Sequence, residues 1–529
     1  LQKALLLLWK NAHRVLPGNK AMSQPLSKDA LVAVVGAGAM GAGIAQVAAV
    51  AGHPVMIFDT RAQAAQSAID GIRSQFEKMV VKGKMDSASA QAAGLRLQSA
   101  SKLSDLASAA LVVEAVVENL TVKQTLFKEL EALVAVDCIF GSNTSSISIT
   151  AIASVLKHPE RLAGLHFFNP APLMALVEVV SGLATSAEVA HILFATATAW
   201  GKTAVHAKST PGFIVNRVAR PYYSEALRLR TEGAADCATI DAVMRESGGF
   251  RMGPFELMDM IGLDVNFAVT RSVWNAYFND PRYLPSLIQQ ELVDAGFFGK
   301  KSGRGFFDYR DGAEKPEPQT ETSHKRPSRI VVCGDAPAAL ALAARLKAAA
   351  VTFDRTTSSD DRIAEADDAA LYVTDGRSAT QRSADNGVPN TVLMDLALDY
   401  NKATRTASTA AGQCSETGFA GACALLQTCG FQVSRIADIP GLAVMRTVAM
   451  LANEAADAVY QGVCTPSAAD DAMRLGVNYP RGPLAWADQI GLASIRKVLA
   501  NLGALYGEDR YRISPLIQQL VFQGKNIHG

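Results

Sequence analysis

The 529-residue sequence is poor in cysteine, with seven, and no two are spaced CxxC, so neither a zinc-gripping pair nor a dithiol couple is written into it. Cys138, Cys237, Cys333, Cys414, Cys423, Cys429 and Cys464 are widely spread and read as small core residues in a reducing compartment. An excess of charge of either sign is missing too. Lys plus Arg number 51 against 50 Asp plus Glu, and a formal +1 makes no field to gather nucleic acid or an acidic membrane. No apolar run approaches the roughly 20 residues that span a bilayer, since even Ala4–Trp9 soon meets Lys10. These absences leave a cytoplasmic protein with a small-molecule partner and no metal.

What is present is core material: 49% of the residues are hydrophobic, and the chain is too long for one core, so two or more domains are expected. The first 28 residues hold Lys3, Lys10, Arg14, Lys20 and Lys28 and no acid. They read as an extension ahead of Met22, with an organellar transit peptide as the alternative.

Leu31 to Val35 is a short apolar run of the kind a strand buried on both faces shows, and Gly36-Ala37-Gly38-Ala39-Met40-Gly41 follows at once, with an Ala-rich helix through Ile44 to Ala51. In such a loop the first glycine makes the tight turn, the second lets backbone approach a pyrophosphate, and the third lets helix and strand pack. A second strand, Pro54 to Phe58, ends at Asp59, 59 − 36 = 23 residues past the first glycine. A carboxylate there accepts from ribose hydroxyls and repels a 2′-phosphate, which favours NAD over NADP, although Arg61 lies close by.

Leu162 to Phe167 and Met174 to Val180 read as two strands joined by Asn169-Pro170-Ala171-Pro172, so that His166 and Glu178 meet across a hairpin. A carboxylate on one ring nitrogen fixes the tautomer and stabilises the imidazolium, while the other nitrogen takes a substrate proton. The bland alternative is a buried structural pair. Ser142-Asn143-Thr144-Ser145-Ser146 follows the apolar strand Cys138 to Phe140, at a strand end where open α/β sheets bind ligands; it could instead be only the cap of a helix from Ile149 to Leu156. A base beside a hydride acceptor is what alcohol oxidation needs.

The stretches VAVVGAGAMGAGIAQ, SNTSSISIT, GLHFFNPAP, STPGFIVNRV, GPFELMDMIGLD and GKKSGRGFFDY, over about residues 30 to 310, closely resemble the L-3-hydroxyacyl-CoA dehydrogenase family. The resemblance implies that His166 is the base, Glu178 its partner, and Ser145 and Asn216 the holders of the reacting oxygens. It implies that Gly36, Gly38, Ala39, Met40, Gly41, Asp59, Glu118, Lys123, Asn143, Asn169 and Lys301 surround NAD. The helical stretch Arg61 to Lys84 resembles an arm over the CoA nucleotide, with Lys82 and Lys84 as phosphate contacts or merely solvated charges.

Residues 211 to 263 recur at 440 to 492 with a constant offset of 229: Arg217 pairs with Arg446, Glu225 with Glu454, Asp241 with Asp470, and Gly253-Pro254 with Gly482-Pro483. Asn216 becomes Met445. Ahead of the second copy, RIVVCGDAPAALALAARL echoes the nucleotide loop with only Gly334 surviving, and the spacing there has shrunk, from an offset of 334 − 36 = 298 to 229. The expected fold is α/β, with an extension (1–28), an NAD-binding Rossmann domain (29–207), an all-α domain (208–310), a linker (311–328), a degenerate Rossmann-like domain (329–435) and a second all-α domain (436–529). Single-copy family members generally dimerise through the helical domain, so a duplicate in one chain implies a monomer or homodimer.

The resemblance extends, among duplicated members, to those acting on 3-hydroxyadipyl-CoA in phenylacetate degradation, with 3-hydroxybutyryl-CoA of fatty-acid or butanoate metabolism as the competing substrate. A terminal carboxylate needs a cation, and Arg220, Arg228 and Arg251 are candidates. An NAD-binding structural protein is the alternative of another class. A free-acid dehydrogenase sharing the glycine loop fits less well, because such enzymes rely on a lysine rather than a His and Glu pair.

Overall fold

The computed structural model describes residues 24–357 and 360–529, in two compact units that divide between Ser209 and Thr210. Most of the expected 1–28 extension therefore lies outside the described residues. Among the described residues no helix is long and apolar enough to cross a membrane.

The first unit is built on one eight-stranded sheet. Its strands are β1 (Val32–Val35), β2 (Val55–Phe58), β3 (Leu97–Ser99), β4 (Leu111–Glu114), β5 (Ile139–Ser142), β6 (Leu162–Phe167), β7 (Leu176–Ser181) and β8 (Thr203–Lys208). They are ordered β3-β2-β1-β4-β5-β6-β7-β8. β1 and β4 are buried along their whole length, as strands covered by helices on both faces must be, and this explains their unbroken apolar character. β6 and β7 run antiparallel, and β8 follows β7 in parallel.

The glycine loop has the geometry its sequence requires. Gly36 sits at φ 106°, in the region that favours glycine, and a Cβ on Gly41 would lie 1.8 Å from the Gly36 carbonyl oxygen. The helix Ala39–Ala51 starts earlier than its apolar spacing suggested, because Gly38 already stands at its N-cap.

The second unit holds a smaller mixed sheet and two helical repeats. Its strands are β9 (Ile330–Cys333), β10 (Asp354–Thr356), β11 (Arg362–Ala366), β12 (Ala369–Val373), β13 (Thr391–Met394), β14 (Arg405–Ala410) and β15 (Gln432–Arg435), ordered β10-β9-β11-β12-β13-β14-β15. The contraction read from the sequence has a clear location. Phe58 to Ile139 spans 139 − 58 = 81 positions in the first unit, whereas Thr356 to Ala369 spans 369 − 356 = 13 in the second. The single strand β11, antiparallel to both its neighbours, stands where the first unit carries three helices and two strands.

Each helical repeat buries its apolar face on the other through reciprocal ion pairs. Arg217 Nε donates to Glu454 Oε1 at 2.5 Å, and Arg446 Nε to Glu225 Oε2 at 2.8 Å, with all four side chains almost fully buried. Residue i of one copy meets residue j of the other, and j meets i, which is the pattern of an isologous two-fold contact held within one chain. Cys138, Cys333, Cys423 and Cys429 are core thiols, and burial pushes Cys138, Cys423 and Cys429 up to about 12.

Candidate active site

The register of β6 against β7 sets His166 directly opposite Glu178. His166 Nδ1 lies 2.6 Å from Glu178 Oε2, with the glutamate fully buried and the histidine 5% exposed. A carboxylate accepts only, so Nδ1 carries the hydrogen and Nε2 is the basic nitrogen. The Phe168 ring lies against the imidazole, 4.5 Å between centroids, and limits its rotation.

The end of β5 supplies a polar cluster. Glu118 accepts from the Thr144 hydroxyl at 2.7 Å, from the Ser145 and Ser146 amides at 3.0 and 3.1 Å, and from the Ser146 hydroxyl at 3.0 Å. Burial works against ionisation of Glu118, but Lys123 and these donors outweigh it and hold the carboxyl below its usual range. Asn143 Oδ1 accepts from the Phe167 amide at 2.8 Å, tying the β5 exit to the strand that carries His166. Ser145 and His166 thus stand on adjoining, cross-linked strand ends.

One residue of this cluster escaped the sequence reading. Glu114, at the end of β4, is fully buried; it accepts from Lys123 Nζ at 2.6 Å, the Ser142 hydroxyl at 2.6 Å and the Val116 amide at 2.7 Å. A lone acid closing the apolar run Leu-Val-Val-Glu was its only signal. It places the Lys123 ammonium, which reaches Glu118 at 3.3 Å.

At the glycine loop, Gly38 and Ala39 are exposed, and a Cβ on Gly38 would meet nothing within 4 Å. This open space above a helix N-terminus fits a pyrophosphate. Asp59 Oδ2 accepts from the Ala37 amide at 2.8 Å, and its carboxylate is forked by Arg61 at 3.1 Å on each oxygen. The Arg61 guanidinium holds Asp59 down to about 2, so it is ionised at neutral pH. Asn169 is exposed beside the β6 exit, and Lys82 and Lys84 are exposed just past the helix Ala64–Val81.

Asn216 and Lys301 belong to the second unit. Asn216 lies in the short helix Val215–Val218, and Lys301 Nζ bonds Asp264 Oδ2 at 2.6 Å. Of the candidate cations, Arg228 is taken by Glu232 and Glu508.

The second copy shows what has been lost. The offset of 229 extends back into the strands, 176 + 229 = 405 and 203 + 229 = 432, so 166 + 229 = 395 and 178 + 229 = 407. The position of His166 is held by Asp395 and that of Glu178 by Ala407, still joined by a backbone bond from Asp395 N to Ala407 O at 3.0 Å. Asp395 accepts from the Ala443, Val444 and Met445 amides at 2.8 to 3.0 Å and so caps the helix Val444–Tyr460. A proton-transfer position has become a helix cap.

Family models match along the chain. The model for the 3-hydroxyacyl-CoA dehydrogenase NAD binding domain matches residues 31–210, and that for the C-terminal domain of the same family matches 212–309 and again 441–527. A 3-hydroxybutyryl-CoA dehydrogenase reduced Rossmann-fold domain matches 371–440. The chain is 46% identical over 490 residues to 3-hydroxyadipyl-CoA dehydrogenase of Escherichia coli (strain K12), covering 92% of this chain and 96% of that protein. The chain belongs to the 3-hydroxyacyl-CoA dehydrogenase family. It is an NAD-dependent 3-hydroxyacyl-CoA dehydrogenase with a duplicated, degenerate second half.

A crystal structure of a 3-hydroxybutyryl-CoA dehydrogenase from Escherichia coli K12 superposes with a TM-score of 0.85 at 44% identity, covering 94% of this dehydrogenase and 98% of that chain. A probable 3-hydroxybutyryl-CoA dehydrogenase of Bacillus subtilis (strain 168) is 41% identical over 280 residues, 53% of this dehydrogenase and 97% of its own length. It therefore corresponds to a single copy.

Proposed function

We propose that the chain oxidises an L-3-hydroxyacyl-CoA to the 3-oxoacyl-CoA, with His166 Nε2 removing the hydroxyl proton. The observation that carries this reading is the 2.6 Å contact of His166 Nδ1 with Glu178 at the strand ends of an NAD binding domain. Glu178 holds the tautomer that keeps Nε2 basic and steadies the imidazolium once the proton has arrived. Ser145 and Asn216 hold the reacting oxygen. NAD, when bound, takes up the hydride.

Gly36, Gly38, Ala39, Met40 and Gly41 line the pyrophosphate, and Asp59 accepts from the adenosine ribose. Glu118, Lys123, Asn143, Asn169 and Lys301 complete the surroundings of the nicotinamide end, with Glu114 as a positioning residue behind Lys123. Lys82 and Lys84 meet CoA phosphate. The domain limits are those given from the sequence, with the linker at 311–328, and only the first copy turns over substrate. The protein works in the cytoplasm as a monomer, because the second repeat satisfies in cis the buried charges of the first; a homodimer is the alternative.

The substrate is 3-hydroxyadipyl-CoA, by likeness to the relative that matches over nearly the whole chain. Likeness to the superposing 3-hydroxybutyryl-CoA dehydrogenase favours 3-hydroxybutyryl-CoA as the second reading. Protein, NAD and either acyl-CoA are mixed and NADH absorbance followed: higher kcat/KM on the adipyl substrate supports the first reading, the reverse order the second, and no NADH from any 3-hydroxyacyl-CoA contradicts both.

A further inference from the structure

Two lysines are buried among the described residues, Lys123 and Lys202. Lys123 has two glutamates, whereas Lys202, 8% exposed, has no carboxylate partner among the described residues. Its Nζ donates instead to the carbonyl oxygens of Ala171 at 2.6 Å, Met174 at 2.8 Å and Pro172 at 3.5 Å, so the three N–H groups of the ammonium meet three acceptors of one turn. A buried cation without a counter-ion is unfavourable, and burial pushes the Lys202 ammonium below its ordinary value.

That turn joins β6 to β7. It follows His166 by three residues, leads into the strand of Glu178, and is closed by the Pro170 carbonyl, which accepts from the Leu173 and Met174 amides. One side of it rests on the helix Ala39–Ala51, where a Cβ on Gly43 would stand 3.1 Å from both Ala171 Cβ and Pro172 Cδ. Lys202 holds the other side. It immediately precedes β8, whose Val205 pairs with Glu178, so one side chain ties the turn to the strand beside the carboxylate.

The internal duplicate is the control. With the offset of 229, Pro170 corresponds to Asp399, whose carbonyl accepts from the Lys402 and Ala403 amides in the same way. The carbonyls of Ala171 and Met174 correspond to those of Tyr400 and Ala403, and the position of Lys202 is held by Phe431. A cation still gathers these carbonyls, but from another element: Arg345 donates by Nε to the Tyr400 oxygen at 2.9 Å and by Nη2 to the Ala403 oxygen at 2.6 Å, its guanidinium carbon 4.1 Å from the centre of the Phe431 ring. Arg345 lies in the helix Pro337–Ala348, at the place of Val47, since 345 − 298 = 47. The turn therefore requires a cation in both copies. The copy that lost the His166 and Glu178 pair ties it to the nucleotide-loop helix, and the copy that keeps the pair ties it to β8.

We propose that Lys202 is a positioning residue for proton transfer: by anchoring the turn to β8 it fixes the strand ends that carry His166 and Glu178 relative to the nucleotide-loop helix. The inference deepens the reading of that pair as the proton-transfer machinery, and rests on it. Lys202 acts through backbone carbonyls, so its loss belongs in the chemical step rather than in binding.

The test follows NADH formation by the native chain, Lys202→Gln and Lys202→Arg, with NAD and the better of 3-hydroxyadipyl-CoA and 3-hydroxybutyryl-CoA. Rates are counted per titrated NAD site, so that any unfolded fraction drops out. Lys202→Gln keeps two N–H donors but neither the charge nor the reach, and should lower kcat roughly 10- to 100-fold, the scale of a reacting geometry displaced by about 1 Å. KM for the acyl-CoA and Kd for NAD should stay within about threefold of native. Lys202→Arg keeps a cation for carbonyls that a guanidinium holds in the second copy, and should recover part of kcat. A kcat per NAD site near native in Lys202→Gln would mark a clamp needed for folding alone and overturn the proposal, as would a loss carried mainly by KM, or a Lys202→Arg no faster than Lys202→Gln. Where Lys202→Gln does not fold, Lys202→Arg decides alone: a kcat below native at unchanged KM supports positioning, and a native kcat overturns it. A native chain that forms no NADH from either substrate would instead overturn the dehydrogenase reading beneath it.

Discussion

At His166, the hydrogen on Nδ1 is fixed by a carboxylate that is itself fully buried and set directly opposite by the β6/β7 register. Glu178→Gln keeps the shape but can turn an amide N–H toward the ring, so it should lower kcat by roughly 10²- to 10⁴-fold with NAD affinity little changed, measured by steady-state turnover beside a direct NAD titration. A rate within a few-fold of native would remove Glu178 from the mechanism. Asp59 is the residue-scale test of the cofactor site. Asp59→Asn should raise KM for NAD about tenfold and relax the discrimination against NADP, read from parallel titrations with the two cofactors.

At the scale of elements, the Rossmann strands were legible because burial on both faces leaves an unbroken apolar run, as in Val32–Val35, and the His166 and Glu178 register because a Pro-containing turn joins two apolar segments. Three features were hidden. Glu114 looked like the polar end of a strand rather than the floor of a charge network. The repeat was visible by eye only where helices preserve Arg, Glu and Gly, whereas Asp395 shares position but not chemistry with His166. The shortened spacing showed that a segment was missing, but not that the antiparallel strand β11 stands in its place. The glycine loop gives the element-scale prediction: Gly41→Ala sets a methyl against the Gly36 carbonyl, must push the helix Ala39–Ala51 off β1, and should abolish measurable NAD binding in a fluorescence titration. Native affinity in that variant would mean that the loop does not hold the cofactor.

At the scale of the whole chain, the duplicated repeats are bound by charge as well as by apolar contact. Glu454 receives Arg217, Arg282 and the Tyr283 hydroxyl; Arg282 keeps Asp457, but Glu454→Ala leaves the buried Arg217 without a carboxylate and should cost about 3 to 5 kcal/mol in a denaturant titration. Its counterpart Glu225 sets an acid limit. Burial alone would raise the Glu225 carboxyl, but Arg510 and Arg446 outweigh it and hold it down to about 2. Its folded value lies below the unfolded one of about 4.3, so its stabilisation is complete above that and drains away as pH falls towards about 2. Unfolding free energy measured across this window should fall with pH, and less steeply in Glu225→Gln; equal slopes would deny the pair that role. The account as a whole stands most directly on the turnover of His166→Ala in the 529-residue chain. With NAD and a 3-hydroxyacyl-CoA saturating, NADH formation is predicted to drop roughly 10²- to 10⁴-fold while NAD still binds, and a rate near that of the native chain would contradict it.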